Sequence, residues 1–182
     1  MKRPKHSGFT MIQTMIVVTM SIILAGIAIP NFNNAMYSYR QSATVSAVTG
    51  ALSSTRFMAI MKGYPYEVVF TPSTLSYQIY NEVPPATSYS LVTPATGSAT
   101  TPLPSAGKVT MKSVGCSVAL TNWACAPSSD QTTNTGTTIT YTFLANGTVS
   151  TTPAGAGIQI SNSVKSNTIW ISGVGDVGTS SP

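Results

Sequence analysis

At 182 residues the chain has room for one modest domain and a short appendage. Its 9 Lys and Arg outnumber 4 Asp and Glu, a net charge of +5, yet charged residues make up only 7% of the whole. That is far below the ~25% of ordinary soluble domains, and it excludes disorder driven by charge. Polarity comes instead from Ser, Thr, Asn and Gly, which suits a secreted or surface protein of strands and loops.

The charge is unevenly placed. Lys2, Arg3 and Lys5 precede Gly8, and no acid occurs before Glu67. Removing residues 1–8 would take the net charge from +5 to +2, too weak to draw nucleic acid by charge alone. From Phe9 to Ile29 there are 21 residues without a charge. At ~1.5 Å per residue such a helix spans ~32 Å, enough for the ~30 Å hydrocarbon core of a bilayer. Thr10, Thr14, Thr19 and Ser21 are tolerated in it because their hydroxyls can bond back to the helix. Positive charge ahead of the helix implies a cytoplasmic N-terminus and a translocated remainder. A secretory signal peptide is the alternative, with a cut near Ala25, Gly26 or Ala28, although the apolar run exceeds the usual ~7–15 residues.

The stretch SGFTMIQTMIVVTMSIILAGIAIP resembles the N-terminal signal of type IV prepilins and type II secretion pseudopilins. The resemblance implies a leader of residues 1–8, cleaved by prepilin peptidase between Gly8 and Phe9, with Phe9 then N-methylated. It implies a membrane and filament-core helix over 9–30, with a proline at Pro30, where the missing hydrogen bond and the ring should bend or loosen a helix that continues beyond it. Other pilin or pseudopilin subunits and the inner membrane become the expected partners. One position departs from the family. Gln13 stands where it usually has Glu, whose carboxylate is read as pairing with a neighbour's N-terminal amine. Gln keeps the shape and the hydrogen bonding but not the charge. Tolerated drift in a minor subunit, or a tip or initiating subunit with no earlier neighbour, would both account for it.

Past Pro30 the pattern stays helical over 31–63. Val48, Ala51, Leu52, Thr55, Met58 and Ala59 recur at three- and four-residue steps and form one face, with Ser46, Thr49, Ser53 and Arg56 elsewhere. Lys62, Gly63 and Pro65 then end the helix. Residues 64–182 read as a β-rich domain. YEVVF and SYQIY suggest a hairpin, and KVTMKSV alternates, with Val109 and Met111 on one face. TITYTF aligns Ile139, Tyr141 and Phe143 ahead of an Asn146-Gly147 turn, and GIQIS and TIWIS follow. The predicted fold is α+β, a long N-terminal helix packed on an antiparallel sheet. Residues 84–107, rich in Pro, Ser and Thr, read as a long exposed loop. TRFMAIMKGYPYEVVF, YTFLANGTVS and TIWISGVGDV are similar to segments of the H-type pseudopilins and FimT-like minor pilins.

Cys116 and Cys125 enclose eight residues. In a translocated domain a disulfide closing this short loop is the leading reading, at about 2–3 kcal/mol by loop closure. A metal site lacks support because the single histidine, His6, lies in the leader. The same absence leaves Ser–His and Cys–His catalysis without a base, so no enzyme, cofactor or metal is expected. GVGDVG at 173–178 fits a dinucleotide fingerprint but lacks a following helix, and reads as a flexible tail. DNA is the rival partner, since some FimT-like proteins resemble DNA-uptake receptors with a basic motif near the C-terminus. Here Asp176 stands in the corresponding stretch, leaving scattered Lys108, Lys112 and Lys165.

Overall fold

The structure is a computed structural model describing residues 10–92, 100–104, 109–116, 131–134, 138–152 and 157–180. The chain divides into two units, Met1–Met36 and Tyr37–Pro182, and the helix α1, Met11–Lys62, contributes to both.

In the first unit the described side chains of residues 10–35 are all exposed. Thr14, Thr19 and Ser21 turn their hydroxyls back onto the carbonyls of Met11, Met15 and Val17, each at 2.8 Å. Their polarity is thereby absorbed by the helix itself. Pro30 lies inside α1, which continues past it.

In the second unit α1 buries Gln41, Thr44, Val48, Ala51, Leu52, Thr55 and Ala59. Their three- and four-residue spacing is the apolar face read from the sequence, extended by two polar residues. Thr44 Oγ1 donates to the Arg40 carbonyl at 2.9 Å, with the Pro104 carbonyl at 3.1 Å, and Thr55 Oγ1 donates to the Ala51 carbonyl at 2.7 Å. The helix ends as its sequence dictates. Gly63 adopts φ +74° and returns its N–H to the Ala59 carbonyl at 3.0 Å.

Among the described residues the strands form two antiparallel sheets. The first runs β3 (Ser90–Leu91), β2 (Ser76–Asn81), β1 (Tyr66–Thr71), β7 (Ile139–Phe143), β8 (Val149–Thr152), with β4 (Thr101–Pro102) also on the edge of β2. The second runs β11 (Val177–Ser180), β10 (Ser166–Ile171), β9 (Gly157–Ser161), β5 (Thr110–Cys116), β6 (Gln131–Asn134). Period-two alternation explains the core. Tyr66, Val68 and Phe70 of β1 and Ile139, Tyr141 and Phe143 of β7 point inward together, in register Val68↔Tyr141 and Phe70↔Ile139. The second sheet adds Met111, Ile158, Ile160, Ile169 and Ile171 to the same cluster, against Val48 and Leu52 of the helix. Each such side chain contributes roughly 1.5–3 kcal/mol by leaving water. This is the α+β, pilin-like arrangement expected.

Two expectations need amending. Part of the 84–107 loop is strand, since β3 and β4 both add to the outer edge of β2. The segment read as a flexible tail is ordered: β11 pairs with β10, Ile171↔Val177 through Thr168↔Ser180. Glycines in GVGDVG disguised it, because Gly175 at φ +85° makes the reversal and Gly178 occupies a strand position opposite Trp170.

Candidate assembly surface

The first surface is the exposed run of α1. Met11, Ile12, Met15, Ile16, Val17, Val18, Met20, Ile22, Ile23, Leu24, Ile27 and Ile29 are all exposed, and the helix is long and apolar enough to cross a membrane. So much contiguous apolar area is not stable in water, and it needs lipid or other helices around it. Gln13 lies on this run, and its side chain makes no hydrogen bond among the described residues. Gly8, Phe9 and Cys125 fall outside the described residues, as does Lys108. Cys116 ends β5. Of the other lysines in that reading, Lys112 lies on β5, between β9 and the edge strand β6, and Lys165 lies in the β9–β10 turn.

The second surface lies at the far end of α1 in the second unit. Two hairpin turns of the same kind meet there. Gly147 N–H donates to the Leu144 carbonyl at 2.9 Å and Gly175 N–H to the Ser172 carbonyl at 2.8 Å. Each glycine takes a positive φ, +82° and +85°, the left-handed residue that closes a three-residue hairpin loop. Asn146 Oδ1 braces the first turn by accepting from the Thr148 N–H at 3.1 Å and its hydroxyl at 2.7 Å. A bond from Val149 N–H to the Gly173 carbonyl, 3.0 Å, joins the β7–β8 hairpin to the turn of the other sheet.

Arg56 reaches from α1 into this junction. Its Nη2 donates to the Val174 carbonyl at 2.8 Å and its Nη1 to Asp176 Oδ1 at 3.3 Å. Arg56 thus neutralises the acid of the C-terminal turn. Beside this clasp an open groove of about 410 Å³ is lined by Ser53, Phe57 and Ile60 of the helix and by Gly175 and Val177 of the turn and strand. Phe57 is 63% exposed, and Ile60, Met61 and Val174 are also exposed. The sequence reading placed Arg56 on the helix, in the segment similar to the H-type pseudopilins and FimT-like minor pilins, and missed this cluster. Its signal was the pair of glycine turns, ANGT and GVGD, each following a strand.

Glu67 and Glu82 approach Tyr89, and burial followed by these two charges raises its phenol above the ordinary value. Burial also raises the Glu67 carboxyl. Among the described residues no group of three or more His, Cys, Asp or Glu could hold a metal ion.

No family model matches the sequence, and no curated protein matches it. Two solved structures of the minor pseudopilin EpsH from the type II secretion system of Vibrio cholerae match in three dimensions. One superposes with a TM-score of 0.50 at 12% identity, the other with 0.53 at 10%, each covering 79% of this chain and 96% of that chain. The fold is that of a minor pseudopilin. At 10–12% identity the likeness is one of fold.

Proposed function

We propose that the protein is a minor pilin or pseudopilin, a structural subunit of a type II secretion pseudopilus or a type IV pilus, without enzymatic activity. The observation that carries this reading is the exposed, membrane-length apolar stretch of α1 in a chain with the pseudopilin fold. Such a helix has two compatible environments. Before assembly it holds the subunit in the inner membrane, N-terminus cytoplasmic and β-rich unit periplasmic. In a filament it packs among the helices of other pilin or pseudopilin subunits, where van der Waals contact replaces lipid. Prepilin peptidase releases residues 1–8 at Gly8, and Phe9 becomes the methylated N-terminus. Gln13 carries no charge to pair with a neighbour's amine, which fits tolerated drift in a minor subunit and fits a place at the tip or in initiation, where there is no earlier neighbour. Cys116 and Cys125 form a disulfide in the oxidising periplasm.

The deciding experiment is the intact mass of the protein from its native membrane fraction, with and without reductant. A chain that starts at N-methylated Phe9, with two hydrogens fewer before reduction, is expected. An intact Met1, or a cut near Ala28, would remove the filament reading and leave an anchored or secreted β-rich domain.

A further inference from the structure

Tyr37 opens the globular unit, and only about 12 Å of helix separates it along the chain from Ile29. The β9–β10 turn is tied to that point, because Asn162 Nδ2 donates to the Tyr37 carbonyl at 2.9 Å. The turn is itself rigid. Asn162 N–H donates to the Lys165 carbonyl at 2.9 Å, and Asn162 Oδ1 accepts from the N–H groups of Val164 and Lys165 at 2.8 and 2.7 Å. Its tip is open to solvent, with Val164 46% exposed and Lys165 exposed beside it. On the adjoining turn of α1, Tyr39 is 72% exposed, and Tyr37 and Arg40 are half-buried.

Charge is polarised along this unit. Arg40 is the first charged residue after Lys5, and neither it nor Lys165 has an ion-pair partner among the described residues. The three described acids belong to the other end of the helix. Asp176 meets Arg56, about 28 Å along α1 from Tyr37. Glu82 N–H bonds the Pro65 carbonyl just past the end of α1, and Glu67 follows on β1. One valine and the rings of two tyrosines offer too little apolar area for a stable protein interface, which takes about 800 Å² on each partner. A bilayer surface makes no such demand. Tyrosines place their rings at headgroup depth, and lysine and arginine lay their apolar stems there with the charge among the phosphates. We infer that this end of the globular unit docks on anionic phospholipid, with Val164 and Tyr39 in the bilayer interface and Lys165 and Arg40 on lipid phosphates. The inference rests on the reading of α1 as a membrane anchor, which keeps the patch within reach of the headgroups. Docking seats the unit on the membrane before assembly and has to be released when the subunit enters a filament.

The test is NMR of the full chain in nanodiscs of phosphatidylcholine, with or without phosphatidylglycerol. A spin label on the acyl chains reports insertion of residues 11–29, and a paramagnetic label on the headgroups reports approach of the turn. Insertion is expected in both lipids, with strong broadening at Tyr39, Val164 and Lys165 in phosphatidylglycerol, weaker broadening without it, and none at the Gly147 and Gly175 turns. Arg40→Gln and Lys165→Gln should each lower the ratio of docked to free unit about fivefold, the loss of one cation at an anionic surface, at an unchanged melting temperature. Lys165→Arg should retain docking. An inserted helix with no broadening at the turn would overturn the proposal and leave the anchor standing. So would equal broadening in both lipids and in both glutamine variants, which would mark proximity through the tether alone. Failure of residues 11–29 to insert would remove the anchor reading and this inference with it.

Discussion

Gly175 faces the carbonyl of Gly147 so closely that a Cβ at position 175 would sit 2.6 Å from that oxygen and 2.7 Å from Arg56 Nε. Two turns from different sheets and one helix side chain thus share a space that admits no extra carbon. Gly175→Ala is expected to destabilise the globular unit by about 2–3 kcal/mol, through the left-handed φ and the backbone clash together. Gly147→Ala should cost less, because its nearest neighbour is the flexible Ile60 Cδ1 at 3.2 Å. Urea unfolding of the full chain in mild detergent, followed by tryptophan fluorescence, measures both.

Arg56 holds that junction mainly through a carbonyl rather than through its ion pair. The Asp176 side chain is 54% exposed and its contact is long, 3.3 Å, whereas the Val174 carbonyl is met at 2.8 Å. Arg56→Ala is expected to cost about 1–2 kcal/mol, and Asp176→Ala no more than about 0.5 kcal/mol, as exposed ion pairs usually do. Raising the salt concentration should change the first value little. Equal losses at the two positions would put the stabilisation in the ion pair instead.

The two faces of α1 should respond oppositely to truncation. Leu52 is fully buried in the cluster shared by both sheets, and Leu52→Ala is expected to cost about 2–5 kcal/mol. Phe57→Ala, on the exposed groove, should stay within about 0.5 kcal/mol. Thermal unfolding by circular dichroism separates them. If Phe57 borders a contact with another subunit, its substitution lowers filament or pseudopilus yield while leaving the melting curve unchanged.

Glu67 gives the fold a pH dependence of definite sign. Burial raises its carboxyl above the ordinary value of 4.5, so the folded chain holds that proton more tightly than the unfolded chain. The resulting stabilisation is full below the ordinary value and is lost as pH rises through the raised one. Glu67→Gln should therefore be more stable than the parent at neutral pH and gain nothing near pH 3. Spectrophotometric titration of the variant should also bring the Tyr89 phenol closer to its ordinary value, since Glu67 is one of the charges that hold it up.

Gln13→Glu is expected to alter assembly and spare the fold. The residue is exposed on the first unit, so its effect on thermal unfolding should lie within about 0.5 kcal/mol. Filament number by electron microscopy, or secretion by the pseudopilus, reads the assembly effect. A restored carboxylate that changes neither would count against a special place for this subunit.

Local chemistry made much of the architecture legible before any coordinates. An uncharged run of 21 residues is long and apolar enough to cross a membrane, and in such a medium a single segment satisfies its own backbone only as a helix. The i, i+3, i+4 spacing from Val48 to Ala59 fixed the buried face of α1. Strict alternation at Ile139, Tyr141 and Phe143, with Asn146-Gly147 behind it, fixed a strand and its turn. These are properties of neighbours in the chain. The division into two sheets, the pairing of β1 with β7, and the ordering of the glycine-rich end as β11 depend on contacts between residues far apart in sequence. So do the polar residues inside: Gln41 is buried because residues 160 and 167 come to it, and Arg56 is held because residues 174 and 176 do. Periodicity reports which side of an element is apolar, but the partner of a buried polar group is chosen only when the chain folds back on itself. Tertiary structure alone therefore decided both the junction at Gly147 and Gly175 and the burial of Gln41.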